Sequence, residues 1–167
     1  KNLSVSPLTT HLPISKVSKN VKKKDIIIKI TKLNNFYKNV LKIKPRIAVT
    51  GLNPHCESFD NENKEKKEII PAIKYLKKQR INVQGPYASD TIFLKENIKK
   101  FDLIFGMYHD QVLTPIKTLY GFNAINITLG LPFIRISPDH GPNIKMLGKN
   151  KSNPESLIQS IRFFEKY

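Results

Sequence analysis

Four histidines are the candidate catalytic or metal-binding residues of this sequence, because each lies in a stretch of loop character and none lies on an apolar-periodic face. They are His11, His55, His109 and His140. Neutral imidazoles are the commonest protein ligands of zinc and similar divalent ions, and three of them from separate loops can leave a coordination position open for substrate or water. His11, His55 and His109 lie far apart in the sequence and form no local motif. Spacing alone therefore leaves two interpretations open, a shared metal site and scattered solvent-facing histidines.

The segments before two of these histidines have the pattern of buried parallel strands. PRIAVTG (45–51) is a short apolar run bounded by proline and glycine, and DLIFGM (102–107) is a second apolar run. A helical spacing of apolar residues over 25–41 predicts an amphipathic helix. Strands that alternate with helices at this spacing predict an α/β fold with a mostly parallel sheet and flanking helices. Ligands of such sheets bind beyond the carboxyl ends of the strands, where His55 and His109 fall.

The chain of 167 residues is expected to form a single α/β unit, residues 1–167. Residues 63–79 predict a helix that Pro71 kinks or delays, and INVQG predicts a short strand. The segment 57–68 is charged and contains no glycine, which predicts a flexible loop. Towards the C-terminus the pattern predicts a helix ended by Gly121, two strands in AINITLG and FIRIS, and a last helix.

The composition excludes several classes of protein. The formal net charge is +16, but 25 of the 29 basic residues are lysine, whereas proteins that read bases and phosphates favour the planar fork of arginine. No nucleic-acid partner is therefore expected. The single cysteine, Cys56, can form no internal disulfide, and no segment has the pattern of a signal peptide or a membrane span. A cytoplasmic protein without a membrane partner is expected.

Six phrases of the sequence carry a resemblance to a known enzyme family. They are TTHLPISKV, PRIAVTGLNPH, GPYASDTIF, MYHDQVLTPIKTLYGF, NITLGLPFIR and DHG, in that order. Together they resemble the C-terminal half of the 4-hydroxythreonine-4-phosphate dehydrogenases of vitamin B6 biosynthesis. The resemblance implies an oxidoreductase that oxidises 4-phosphohydroxy-L-threonine with NAD or NADP and decarboxylates the product to 3-amino-2-oxopropyl phosphate, on the way to pyridoxine and pyridoxal 5'-phosphate. It also implies a fold similar to that of the isocitrate and isopropylmalate dehydrogenases, of which this chain supplies one lobe and part of the dimer region.

The same resemblance implies a divalent-metal site in a homodimer with a shared active site. Its ligands are the histidines of TTHLP, GLNPH and YHDQ, which are His11, His55 and His109, and the ion is zinc, magnesium or cobalt. One ligand comes from the neighbouring subunit, and His109 is expected to be that one. Asp110 is expected to hold one of the histidines in orientation, or else to bond only nearby loop amides.

Three further residues are implied as contacts of a small phosphorylated amino-acid substrate. They are Lys117 after YHDQ, Asn126 at the start of NITLG and Arg135 at the end of LPFIR. Lysine and arginine supply positive charge for phosphate and carboxylate groups, and arginine can hold either group with two parallel hydrogen bonds. From the residues alone, Lys117 is interpreted as a solvated surface lysine and Asn126 equally as a partner of loop backbone.

The segment PDHGPNIKMLGKNKSNP resembles the adenosine-binding segment of the isocitrate and isopropylmalate dehydrogenases. That resemblance makes His140, Gly141 and Asn153 candidate contacts of NAD or NADP. The alternative is a surface turn at His140 and Gly141 followed by a helix cap at Asn153.

Two hypotheses of different kinds follow. The first is a metal-dependent dehydrogenase to which this chain contributes the C-terminal half. The second is a truncated, non-catalytic remnant that acts as a dimerisation or binding module, because the family's N-terminal half, with one lobe of the cleft, is not within these 167 residues.

Overall fold

The chain has an α/β fold, seen in a computed structural model that describes residues 3–57, 63–141 and 144–167. Internal contacts divide it into two compact units, Lys1–Pro115 and Ile116–Tyr167. The sequence predicts one unit, whereas the chain leaves the first compact unit and enters the second within one helix.

A four-stranded, fully parallel sheet forms the centre of the first unit, with the strand order β1-β4-β2-β3. The strands are β1 (Ser4–Thr9), β2 (Ile47–Thr50), β3 (Val83–Tyr87) and β4 (Leu103–Tyr108). Strand β2 is buried throughout, and β4 is buried in all but its last residue, as is typical of inner parallel strands covered on both faces. The predicted parallel sheet with flanking helices is confirmed.

Two apolar clusters cover the sheet. Leu103, Phe105 and Met107 of β4 pack into the larger cluster, and Ile104 packs into the smaller one. Because side chains alternate between the faces of a strand, the clusters lie on opposite faces of the sheet. The helices of this unit are α1 (Ile14–Asn20), α2 (Lys23–Asn39), α3 (Ile70–Lys78), α4 (Ser89–Ile92), α5 (Lys95–Ile98) and the first part of α6 (His109–Tyr120).

The sequence patterns do not predict strand β1. Its residues SVSPLT include a proline and three hydroxyl side chains, a composition that local rules assign to a loop. Strand β1 nevertheless lies at the edge of the sheet and pairs only with β4. An edge position tolerates Pro7 because one side of the strand needs no ladder hydrogen bonds.

The helix predicted over 63–79 changes type along its length. Glu65–Ile69 forms a π-helix that continues directly as α3. Pro71 lies in the first turn of α3, directly after this π-helical turn. The prediction of a flexible loop over 57–68 is corrected at its end, because the buried side chains of Glu65 and Ile69 hold that part as helix. Residues 58–62 of the predicted loop lie outside the described residues.

The second unit contains the end of α6, a two-stranded antiparallel sheet and a last helix. Its further elements are β5 (Ile125–Thr128), β6 (Arg135–Pro138) and α7 (Glu155–Lys166). Gly121 follows α6 with a φ of 52°, the left-handed conformation that commonly ends a helix. The two strands, the last helix and the stop at Gly121 are therefore confirmed. No helix in the described part of the chain is long and apolar enough to cross a lipid bilayer.

Gly106 of β4 allows the first turn of α6 to pack closely against the strand. A Cβ atom at Gly106 would lie 2.4 Å from Val112 Cγ1 and 3.0 Å from Gln111 Oε1. We therefore expect Gly106→Ala to lower the free energy of unfolding by about 1–3 kcal/mol, as overpacking does. In urea denaturation, adding Val112→Ala should recover part of this loss, because it removes the methyl group that clashes. A double variant as unstable as the sum of both single changes would contradict this explanation.

Candidate functional site

Two of the predicted metal ligands meet at the carboxyl edge of the sheet. Strands β1 and β4 are parallel neighbours whose last residues, Thr9 and Tyr108, are register partners. His11 and His109 follow these strand ends, and their ring centroids lie 5.7 Å apart with the ring planes inclined by 40°. The hydroxyl of Thr9 donates a hydrogen bond to the carbonyl oxygen of Met107 (2.8 Å) in the buried sheet. This bond fixes the two strand ends relative to each other and so fixes the base of each histidine.

The spacing of the two rings fits two ligands of one divalent ion. With Zn–N distances of about 2.0–2.1 Å, each ring centroid lies roughly 3.2 Å from the ion, and two rings at a tetrahedral angle stand about 5.2 Å apart. The observed 5.7 Å corresponds to a somewhat wider angle. Within the described residues, no three His, Cys, Asp or Glu side chains come together closely enough to hold an ion. One chain therefore offers two of the three expected ligands.

The histidine pair opens into a small cavity of about 260 Å³. The lining combines the two imidazoles and the Asp110 carboxylate with an apolar wall. Its members are Thr9, His11, Leu12, Ile14, Val17, Tyr108, His109 and Asp110. Ile14 is 71% exposed and Leu12 is 41% exposed, so the apolar wall also faces outward from the chain.

Asp110 holds the ring of His109. The distance from His109 Nδ1 to Asp110 Oδ1 is 2.6 Å. When the Asp110 carboxylate is ionised it can only accept, so Nδ1–H is then the donor and Nε2 is the ring nitrogen free to bind an ion. Carboxylate partners of this kind fix the tautomer and orientation of metal-binding histidines. Of the two alternatives for Asp110, the geometry favours the role of orienting a histidine.

We expect Asp110→Asn to weaken Zn²⁺ binding by about 10-fold, the lower end of what loss of such a partner costs. The asparagine keeps the size of the side chain but removes the negative charge that stabilises Nδ1–H. Isothermal titration calorimetry of the folded protein measures the effect. The control is Asp25→Asn, the same change at an exposed position in the first turn of α2. An equal loss in both variants would mean that net charge, and not the bond to His109, determines the affinity.

The third predicted ligand, His55, is not part of the His11–His109 pair. It lies in a 3-10 turn, Pro54–Cys56, shortly after β2, with φ 55° and ψ 12°. His11 also has a left-handed backbone, with φ 49°. Such conformations cost a non-glycine residue about 1–3 kcal/mol and persist where the surrounding structure holds them, often at functional sites. Within the described residues, the structure therefore brings His11 and His109 together without His55.

Gln111 is a site residue that the sequence analysis missed. Its buried side-chain amide makes four hydrogen bonds. Oε1 accepts from the Met107 N–H (2.6 Å) and the Thr50 hydroxyl (2.9 Å), while Nε2 donates to the Gly51 carbonyl (2.8 Å) and Ser89 Oγ (2.7 Å). It therefore joins the ends of β2 and β4 to the start of α4, directly after the histidine of YHDQ. The only signal in the sequence is an amide side chain next to two candidate site residues.

The three predicted substrate contacts all lie in the second unit and are exposed. In the β5–β6 pair, Thr128 stands opposite Arg135, and Arg135 Nη1 donates to Thr128 Oγ1 (2.9 Å). Asn126 lies two residues before Thr128 and so shares the face that carries Arg135. Lys117 Nζ donates to the backbone carbonyl of Asp139 (2.9 Å) and lies 3.8 Å from its carboxylate. Lys117 is thus held beside the end of β6 and does not extend freely into solvent.

The candidate cofactor contacts have local partners in the second unit. The His140 ring packs edge-on against Phe122, with centroids 5.9 Å apart, and Gly141 has open space where a Cβ would be. The Asn153 Oδ1 accepts a hydrogen bond from the N–H of Glu155 (2.9 Å) at the start of α7. The observed bond is the one that the helix-cap alternative for Asn153 requires.

The first unit is a parallel α/β domain with two ligand-type histidines beyond the carboxyl ends of neighbouring strands, the position at which enzymes of this class bind their ligands. The chain belongs to the family described as pyridoxal phosphate biosynthetic protein PdxA, whose model matches residues 1–164.

Curated relatives and solved structures agree with this assignment. Proteins named 4-hydroxythreonine-4-phosphate dehydrogenase from Sulfurihydrogenibium sp. (strain YO3AOP1) and Aquifex aeolicus (strain VF5) are 44% and 40% identical to the chain, over 96% and 99% of its length. The matches cover 50% and 51% of those proteins, so the chain spans about half the length of these relatives. The crystal structure of 4-hydroxythreonine-4-phosphate dehydrogenase from Klebsiella pneumoniae matches with a TM-score of 0.80 at 34% identity, over 97% of this chain and 49% of that one. A terephthalate 1,2-cis-dihydrodiol dehydrogenase from Burkholderia xenovorans LB400, with a TM-score of 0.74 and 22% identity, shares the fold.

Proposed function

We propose that this chain is the C-terminal half of a 4-hydroxythreonine-4-phosphate dehydrogenase, which oxidises 4-phosphohydroxy-L-threonine with NAD or NADP and decarboxylates the product to 3-amino-2-oxopropyl phosphate. Membership of the family supports the reaction, and the order of the six phrases supports the half. The observation that carries the proposal is the pair of imidazoles, 5.7 Å apart, at the ends of β1 and β4. Such a pair has the spacing of two ligands of one catalytic ion.

The metal site in this proposal is completed by a second copy of the chain in a homodimer. His11 and His109 come from one subunit, and His55 comes from the other. Two observations favour this arrangement. No third ligand joins the pair within the described residues, and His55 itself is exposed. The outward-facing Leu12 and Ile14 beside the cavity supply apolar surface that a second subunit would cover.

Different residues of the chain have different roles in the proposed reaction. When bound, the divalent ion and NAD or NADP supply Lewis acidity toward the substrate oxygen atoms and an acceptor for the hydride. His11 and His109 would hold the ion, and Asp110, 2.6 Å from Nδ1 of His109, would keep that ring in orientation. Lys117, Arg135 and Asn126 are the proposed substrate contacts.

Lys117 and Arg135 bind the anionic groups of the substrate, phosphate and carboxylate, and each charge-assisted hydrogen bond contributes about 1.5–3 kcal/mol. Arg135 at present donates to the uncharged Thr128 hydroxyl. Lys117 donates to the Asp139 carbonyl and also lies 3.8 Å from the Asp139 carboxylate, so an anionic substrate group would compete with that carboxylate for Lys117. Asn126, on the same face as Arg135, orients the substrate through its amide. His140 and Gly141, with Asn153 nearby in the sequence, are proposed to contact the nicotinamide cofactor.

The test is turnover by the complete protein as it occurs in the cell. We expect 4-phosphohydroxy-L-threonine to reduce NAD or NADP and to release carbon dioxide when Zn²⁺, Mg²⁺ or Co²⁺ is present. A chelator should abolish the reaction, and the added ion should restore it. Failure of both nicotinamides to be reduced at saturating metal would reject the proposal.

A second candidate function is a non-catalytic dimerisation or binding module. It would apply if the cellular protein were no longer than this chain, which spans about half the length of these relatives. Mass spectrometry of the intact cellular protein separates the two candidates. A mass near 19.2 kDa together with dimerisation and no turnover would support the module, whereas a mass near twice that value supports the dehydrogenase.

A further inference from the structure

Glu65 carries a buried carboxylate that the proposed reaction does not use. Its side chain lies at the start of the π-helix and is 1% exposed. Oε1 accepts hydrogen bonds from the backbone N–H groups of Leu52 and Asn53 (2.8 Å each), and Oε2 accepts one from Asn53 Nδ2 (2.9 Å). All three donors belong to the loop that follows β2.

The carboxylate is charged despite its burial. Burial alone would raise the pKa of Glu65, but the hydrogen bonds from the backbone and side chain of Asn53 and from Leu52 outweigh it, and the pKa is lower than its ordinary value. A buried charge is costly unless such bonds satisfy it. The hydrogen bonds from Leu52 and Asn53 therefore stabilise the buried Glu65 carboxylate, and the same bonds hold the loop in place.

The loop that Glu65 holds is the one that carries His55. Directly after Asn53, the backbone enters the turn Pro54–Cys56, in which His55 and Cys56 have φ values of 55° and 61°. Two consecutive left-handed residues without glycine do not persist unless neighbouring bonds determine them. The bonds to Glu65 fix the two residues before the turn.

The element that presents Glu65 is itself held firmly. The π-helix continues into α3, whose residues Ala72, Ile73 and Leu76 are buried in the larger apolar cluster together with Ile69. π-Helical turns are rare and often occur at functional sites. Here the turn carries Glu65 to the loop, while Glu68, on the same turn, accepts a hydrogen bond from the Lys23 N–H at the surface (2.6 Å).

We propose that Glu65 is a positioning residue that sets the place of the His55 imidazole by anchoring Leu52 and Asn53 from the buried side of the loop. The proposal rests on the proposed function in one respect, the role of His55 as a ligand of the shared ion. It adds a residue that contacts neither the ion nor the substrate.

The experiment compares Glu65→Leu with Glu68→Leu, the same change at the half-buried glutamate of the same helical turn, whose carboxylate bonds the Lys23 N–H and not the loop after β2. Glu65→Leu should weaken Co²⁺ binding by the dimeric protein by about 10- to 100-fold, the range for partners that orient a ligand. It should also speed amide hydrogen exchange at Leu52 and Asn53. Glu68→Leu should change neither quantity. Glu65→Gln should keep Co²⁺ affinity close to that of the parent chain, because its carbonyl oxygen can still accept from both backbone amides.

Comparison with His55→Ala shows whether the role of Glu65 fails alone or together with the role of His55. If His55→Ala weakens Co²⁺ binding and Glu65→Leu does not, the positioning role fails alone and the metal site stands. If His55→Ala leaves Co²⁺ binding unchanged, both the role of His55 and that of Glu65 are wrong. Should Glu65→Leu not fold, Asn53→Ala removes the Oε2 bond only. Weaker Co²⁺ binding then supports the proposal, and unchanged binding overturns it.

Discussion

Replacing His109 with alanine is expected to weaken Zn²⁺ or Co²⁺ binding by more than about 100-fold, beyond the loss typical of changes around a ligand. The reason is geometric. Among the described residues, the chain brings two imidazoles together at the edge of its sheet, His11 and His109, so loss of either ring leaves one imidazole from that chain. His11→Ala should have an effect of the same size. Absorption of the Co²⁺ complex, which responds to the number and type of ligands, measures the loss.

The control for this prediction is His140→Ala. His140 is exposed and packs against Phe122 in the second unit, so its removal should leave metal affinity unchanged. Equal losses at His109 and His140 would mean that the ion is bound by scattered surface histidines. That outcome would return the protein to the simpler of the two interpretations that spacing alone allows.

Gln111→Leu is expected to lower the free energy of unfolding by about 3 kcal/mol, because it leaves the buried Met107 N–H and Gly51 carbonyl without a partner at a cost of about 1–3 kcal/mol each. Leucine fills a similar volume, so the loss reports the hydrogen bonds and not a cavity. Urea denaturation followed by circular dichroism gives the value.

The matched control is Gln84→Leu, the same change at an exposed position of β3. The side-chain oxygen of Gln84 accepts a hydrogen bond from the Tyr87 hydroxyl (3.0 Å) at the surface, and a change within about 0.5 kcal/mol is expected. If Gln111→Leu lowered the free energy of unfolding as little as Gln84→Leu does, the four hydrogen bonds of Gln111 would not hold the strand ends. The position of His109 would then need another explanation.

The sheet was predictable from sequence only where burial dictates composition. β2 and β4 are inner strands, and their continuous apolar runs identify them. This pattern does not identify β1. Its partner β4 lies almost a hundred residues away in the sequence, and its edge position permits Pro7, Ser4 and Ser6. That strand carries the chain to His11, so the histidine pair itself depends on a pairing that no local pattern reveals.

The site residues divide in the same way. His11, His55 and His109 are predicted from sequence because imidazoles in loops are conspicuous and lie in distinctive phrases, and the structure brings His11 and His109 together. Glu65 was not found, because it stands among the charged residues of NENKEKKE and differs from Glu68 only in the direction its side chain takes. That direction results from the π-helical turn, which the sequence signals only indirectly through Pro71. Burial of a polar side chain is a tertiary property, and Gln111 was missed for the same reason.

We propose that His11 and His109 of one chain share a divalent ion with His55 of a second. Anomalous diffraction at the zinc edge, from crystals of the complete protein grown with Zn²⁺, tests it most directly. We expect one strong peak per subunit within bonding distance of the three imidazoles, at about 2.0–2.1 Å from a nitrogen of each ring. A peak elsewhere, or none between His11 and His109, would contradict the account.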